Sequence, residues 1–264
     1  MSPTLDKTKR NKALTLHLLQ FPSVPGGPLK TLEKLKKWLR GLNTRRGDWL
    51  LLPEMWPALF QPKEKLKQRL ENAGCFHWLK ALARERGCYV AGSMLEMPGP
   101  RAYNSAFVID PSGALRAGYR KMHLFPLSGE HKHFTPGKTN KVVKLSGMNL
   151  GLAICYDLRF PDLFRALAKQ GAQIILVPSA WPKVRLEHFK ALLKARAIEN
   201  QCFVVGINKC GPERDGLVFG GHSVVYDPWG SPLGELGGRR GFLTVSLDLS
   251  QVGKIRKQYP FLEK

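Results

Sequence analysis

Segments of strand character and segments of helix character alternate along almost the whole 264-residue chain, which restricts it to layered α/β architectures. Ala13 to Phe21 reads as a strand, Pro28 to Leu42 as a helix with proline early and Gly41 or Asn43 at its end, and Asp48 to Leu52 as a second strand. A helical region over 63–86, broken near Gly74, ends at Gly87 ahead of a strand from Cys88 to Leu95. Tyr103–Ile109 and Ala114–Tyr119 flank Asp110-Pro111-Ser112-Gly113, a turn sequence that predicts an antiparallel hairpin. A loop from Pro126 to Asn140, rich in Gly, Pro, His and Lys, is long enough to carry function. Strands at 141–145 and 150–154 follow, then helix 161–170, strand 173–178, helix 186–199 and strand 202–207. A last strand pair, His222–Tyr226 and Gly241–Leu247, surrounds Asp227-Pro228-Trp229-Gly230, and no internal repeat is visible. The hairpins argue against an all-parallel sheet. The expectation is one α/β domain over 13–264, with helices on the outer faces of mixed sheets, behind a basic tail over 1–12.

Charge and cysteine usage narrow the partners. The chain carries 42 Lys and Arg against 20 Asp and Glu, a formal net charge of +22 that raises nucleic acid and anionic membrane as partner classes. Lys30, Lys34, Lys36, Lys37 and Arg40 flank Leu32, Leu35, Trp38 and Leu39 at helical spacing. That pattern describes a solvated basic helix face, and no nucleic-acid motif accompanies it. Five cysteines without a C-x-x-C pair fit neither a disulfide framework nor a zinc site. Scattered histidines and the lack of a phosphate-binding glycine loop point to no metal and no cofactor. With no signal segment or membrane-length apolar run, the expected setting is soluble and cytoplasmic.

One cysteine has chemical company. Cys155 closes the apolar run Leu150-Gly151-Leu152-Ala153-Ile154 and precedes Tyr156-Asp157-Leu158-Arg159-Phe160-Pro161, a strand end turning into a helix. A nucleophilic thiol needs a sharp turn, backbone N–H groups for an oxyanion and a neighbouring charge. Two other strand ends supply charges, Glu54 after Leu50-Leu51-Leu52-Pro53 and Lys121 after Gly118-Tyr119-Arg120. Taken singly, each would read as a loop carboxylate, a surface lysine and a buried thiol. His123 and Asp157 offer a rival Cys-His-Asp arrangement, although Asp157 lies only two residues from the thiol.

At these motifs the chain resembles the nitrilase superfamily, the carbon–nitrogen hydrolases, over roughly residues 12–250. The family-like segments occur in order: Pro53-Glu54, Tyr119-Arg120-Lys121-Met122-His123-Leu124-Phe125, and Gly151 to Pro161 through Cys155. Tyr103-Asn104-Ser105, Ala195-Arg196-Ala197-Ile198-Glu199-Asn200 and Gly220-Gly221-His222-Ser223 are also similar to family patterns. The resemblance implies a four-layer αββα sandwich, commonly dimerised, and a Glu-Lys-Cys triad. It gives Cys155 as nucleophile, Lys121 as the cation beside it, Glu54 as general base and Glu130 as a second active-site glutamate. The backbone N–H of Tyr156, with Lys121, would receive the oxyanion. Arg159 matches an arginine that clamps substrate carboxylate in related carbamoylases. The alternative for it is a helix-start arginine paired with Asp157 or Asp162.

The Cys-Tyr-Asp-Leu-Arg-Phe-Pro segment is most similar to the branch of omega-amidases and related Nit proteins. What this implies is an amidase that cleaves the amide of a small carboxylate-bearing molecule through a thioester and releases ammonia. A nitrilase or N-carbamoyl hydrolase is the alternative within the chemistry. A basic nucleic-acid- or membrane-binding module on the same scaffold is the alternative outside it.

Overall fold

The computed structural model describes residues 13–58, 65–213 and 216–262. The tail expected over 1–12 and the helix start expected at 63–64 lie outside the described residues. In chain order the first half runs β1 (Leu14–Gln20), α1 (Pro28–Leu39), β2 (Trp49–Leu51), α2 (Lys65–Arg86), β3 (Tyr89–Glu96), β4 (Tyr103–Ile109), β5 (Leu115–Arg120) and β6 (Val143–Leu145). The second half begins β7 (Met148–Leu152), α3 (Pro161–Lys169), β8 (Ile174–Ser179), α4 (Leu186–Asn200) and β9 (Phe203–Asn208). It continues with the ribbon β10 (Cys210–Pro212) and β11 (Val218–Gly220), then β12 (Val224–Tyr226), β13 (Pro232–Glu235), β14 (Gly241–Leu247) and α5 (Ser250–Gln258).

Two six-stranded mixed sheets result, ordered β14-β1-β2-β3-β4-β5 and β13-β12-β9-β8-β7-β6. In each, three strands joined by helical crossovers run parallel, and antiparallel strands flank them. Alternation along β2 assigns the layers. Leu50 packs outward with Leu35, Leu39, Cys75 and Leu79 of α1 and α2, whereas Trp49 and Leu51 belong to the core shared with the second sheet. On the second sheet, a Cβ at Gly206 would run into Leu193 and Phe189 of α4, so this glycine lets helix and strand approach closely. Helices, sheet, sheet and helices form the four-layer αββα sandwich.

Three local expectations change. Gly74 does not interrupt α2, because it sits on the exposed side with nothing near its missing Cβ while Cys75 and Leu79 anchor the buried side. The strands either side of Asp227-Pro228-Trp229-Gly230 do not pair with each other. Val224–Tyr226 pairs with β13, and Gly241–Leu247 crosses to the first sheet and pairs along β1 from Leu14↔Leu247 to Gln20↔Gly241. The strand order also repeats between halves: β1–β6 and β7–β9 with β12–β14 follow one plan, hidden from the sequence because only the backbone pattern recurs.

Candidate active site

The carboxyl ends of β2, β5, β7 and β8 meet at one edge of the sandwich, each delivering one part of the site. Glu54 stands in the turn after β2, and its N–H reaches Ser179 O at 3.3 Å. Lys121 directly follows β5, fixed by Lys121 N–H to Asn104 O at 2.9 Å and by Gly137 N–H to Lys121 O at 2.8 Å. Cys155 opens the 3-10 turn Cys155–Arg159 in the left-handed region, with φ of 44°. A non-glycine residue there stores strain, which the surrounding bonds must hold in place.

Asp157 is the centre of that restraint. Fully buried, it accepts from Ile154 N–H at 2.9 Å, Tyr119 Oη at 2.8 Å, His123 N–H at 3.1 Å and His123 Nδ1 at 2.8 Å. Arg196 of α4 closes the far end, donating from Nε and Nη2 to Leu158 O at 3.0 and 2.6 Å. The His123 ring stacks on Phe160 with centroids 3.6 Å apart. His123 and Asp157 therefore do pair, but as a clamp on the turn, and neither lines the cavity that Cys155 faces.

Lys121 Nζ lies 2.8 Å from Glu54 Oε1 and 2.9 Å from Glu130 Oε2, with side-chain exposure of 3%, 6% and 10% for the three. Asn104 bridges the two carboxylates from Nδ2, at 2.8 Å to Glu54 and 3.2 Å to Glu130. Ser93 Oγ donates to Asn104 Oδ1 at 3.0 Å and fixes that amide. The N–H of Ala180 reaches Glu54 Oε2 at 2.9 Å, and the N–H of Phe125 reaches Glu130 Oε2 at 2.7 Å.

These contacts set the resting charges. Burial alone would raise the Glu54 carboxyl, but the Lys121 ammonium and bonds from Lys121, Cys155 and Asn104 hold it below its ordinary value. Lys121 is raised against the pull of burial, chiefly by the Glu54 and Glu130 charges. Burial and the Glu54 charge push Cys155 well above the usual thiol value, which Lys121 and the Ala180 N–H only partly offset. The cluster at rest is thiol, ammonium and carboxylate. Thiolate forms only as its proton passes to a carboxylate, which leaves the total charge unchanged.

Cys155, Glu54, Lys121, Glu130, Tyr156 and Arg159 all line one cavity of about 400 Å³. Tyr156 sets its ring against Phe125 and Phe160, with centroids 5.1 and 5.5 Å apart. Arg159 pairs with neither Asp157 nor Asp162. Its guanidinium lies 5.3 Å over the Trp181 ring and 3.3 Å from His188 Nδ1, and it has no ion pair among the described residues. Arg185 shares the cavity, 5.5 Å over the Phe125 ring and equally without an ion pair among the described residues. Arg185 gave no sequence signal. Asn104 did, inside Tyr103-Asn104-Ser105, but as a structural match. Among the described residues no group of three or more His, Cys, Asp or Glu could hold a metal ion.

The model of the carbon-nitrogen hydrolase family matches residues 17–257. The chain belongs to the carbon-nitrogen hydrolase family. It is 34% identical over 252 residues to 2-oxoglutaramate amidase from Bacillus subtilis (strain 168), covering 94% of this chain and 96% of that protein. XC1258 from Xanthomonas campestris, a CN-hydrolase superfamily protein with an arsenic adduct in its active site, superposes with a TM-score of 0.87 at 27% identity, covering 95% and 96% of the two chains. An amidase variant from Nesterenkonia sp. AN1, showing covalent addition of the acetamide moiety of fluoroacetamide at the active site cysteine, matches with a TM-score of 0.80 at 31% identity, over 95% and 98%. The hydrolase is thus a cysteine-dependent enzyme of non-peptide carbon–nitrogen bonds, on the sandwich that the family resemblance implies.

Proposed function

We propose that this hydrolase cleaves the terminal amide of a small carboxylate-bearing substrate, a 2-oxo acid amide foremost, with Cys155 as nucleophile. One observation carries the reading. The cavity that joins a thiol, an ammonium and a carboxylate also carries two guanidinium groups, Arg159 and Arg185, with no ion pair among the described residues. Cations left unneutralised beside a hydrolytic centre suit a substrate that brings its own carboxylate. The name of the Bacillus subtilis relative, 2-oxoglutaramate amidase, points the same way.

In this mechanism Glu54 takes the Cys155 proton as sulfur attacks the amide carbon, and the carbonyl electrons move onto oxygen. The Lys121 ammonium and the Tyr156 N–H stabilise that oxyanion. Glu54 passes the proton to nitrogen, the C–N bond breaks, and ammonia leaves a thioester. Water then loses a proton to Glu54 while its oxygen bonds to carbon, the C–S bond breaks, and the proton returns to sulfur. Glu130 keeps Lys121 in register throughout. Residues 13–264 work as one hydrolase domain, and reliance on a free thiol suits the cytoplasm. A homodimer through the exposed apolar side chains Ile198, Trp229 and Phe261 belongs to the same proposal, to be checked by light scattering.

The test is intact-protein mass during turnover, with product assay. A 2-oxo acid amide should leave an acyl adduct and release ammonia without carbon dioxide, and a neutral amide of equal length should turn over more slowly. Cys155→Ala should lose the adduct and at least roughly 10³-fold in kcat. Ammonia release undiminished by that substitution would refute the assignment.

A further inference from the structure

Behind the candidate general base lies a second buried lysine that the mechanism above does not use. Lys209 follows the last residue of β9, is 0% exposed and has no ion pair among the described residues. Its Nζ donates to Met55 O at 2.8 Å and to Ser23 Oγ at 2.6 Å, and it lies 5.8 Å over the ring of Phe219, a wall of the cavity. A buried cation without a carboxylate in contact is costly, and an apolar side chain of similar volume would avoid that cost. Its hydrogen bonds show what it contributes instead.

Met55 immediately follows Glu54 and, like Cys155, holds a left-handed backbone, with φ of 44°. Its peptide groups are gripped at both ends, the N–H by Ser93 Oγ at 3.0 Å and the carbonyl by Lys209. The Lys209 backbone is tied to the same scaffold, since Ser179 O accepts both Lys209 N–H at 3.0 Å and Glu54 N–H at 3.3 Å. Rotation of the Met55 peptide would swing the Glu54 carboxylate away from Lys121 and from the thiol.

We propose that Lys209 is a positioning residue for the amide-cleaving reaction, holding the strained Met55 turn so that the Glu54 carboxylate meets the Cys155 proton. This rests on the reading of Glu54 as general base. The charged groups that act on Lys209 are Glu213, from the β10–β11 ribbon, and Glu54, from the turn itself. Both favour its protonated form, but burial outweighs them and brings Lys209 down to about 8. The grip on Met55 is therefore strongest below that pH and weakens above it.

Lys209→Met, compared with Glu54→Gln and with the double variant, tests the assignment. Lys209→Met should lower kcat by roughly 10–100-fold with KM within about twofold, and slow Cys155 alkylation by chloroacetamide in parallel. Added to Glu54→Gln it should cost nothing further, because both act through one carboxylate. A Lys209→Met enzyme with wild-type kcat, or losses that multiply in the double variant, would overturn the proposal. A fully active Glu54→Gln enzyme would instead sink the general-base reading. Should Lys209→Met not fold, Ser23→Ala takes its place. Removing an acceptor from the ammonium should move the decline of kcat above about pH 8 to lower pH, and an unmoved limb would count against Lys209.

Discussion

At the scale of single residues, the chemistry turns on how protons are shared among groups that are all buried. Burial pushes Cys75 and Cys202 up to about 12 and Cys210 up to about 11, and Cys155 is raised as well, so acidity does not single out the proposed nucleophile. Company does: among the five cysteines, Cys155 alone shares a side-chain hydrogen bond with a carboxylate, Glu54, that is itself paired with an ammonium, Lys121. Glu54 is depressed below 4.5 in the fold. Its carboxylate form is thus present at and above its unfolded value and is lost as pH falls through the lower folded value. kcat/KM measured alongside circular dichroism should hold level down to about pH 4.5 and fall only below it. An acid limb near neutrality in folded protein would contradict this assignment. Glu54, Lys121 and Cys155 were legible because each ends a strand inside a recognisable motif. Arg185 was not, since nothing local distinguishes it from other surface arginines until the fold brings it to the cavity.

At the scale of elements, the 3-10 turn over Cys155–Arg159 is held from outside itself. Asp157 receives four hydrogen bonds from three residues, Tyr119, His123 and Ile154, so Asp157→Asn sets an amide N–H₂ against groups that donated to the carboxylate. Thermal denaturation should register a loss of about 3 kcal/mol, with reduced activity because the Cys155 backbone relaxes. Helix α2 offers the opposite case. Gly74 is exposed with open space where a Cβ would stand, so Gly74→Ala should raise stability by about 0.5–1 kcal/mol and leave kcat unchanged. The same position explains the misread break: glycine's helix cost is local, whereas the burial of Cys75 and Leu79 is tertiary. The partners of β12 and β14 were equally beyond local reading, because both turn chemistry and alternation are satisfied whichever sheet a strand joins.

At the scale of the whole molecule, a chain with a net charge of +22 carries a cavity proposed to bind anions. Capture of an anionic amide should weaken as salt screens that field, with kcat/KM falling about threefold or more between 0.01 M and 0.5 M ionic strength. A neutral amide should show little change, which separates long-range attraction from inhibition by salt. The layers of the sandwich were implied by the family resemblance, but the duplicated plan of the two halves was not. There, β6 at the end of the first half pairs with β7 of the second, and β14 at the end of the second returns to β1 of the first. Neither half closes its own sheet. During synthesis the first sheet, which carries Glu54 and Lys121, would keep an open edge at β1 until Gly241–Leu247 emerged to pair with it. A stop codon before Gly241 would remove the strand that covers the open edge of β1 and leave its row of backbone donors and acceptors bare.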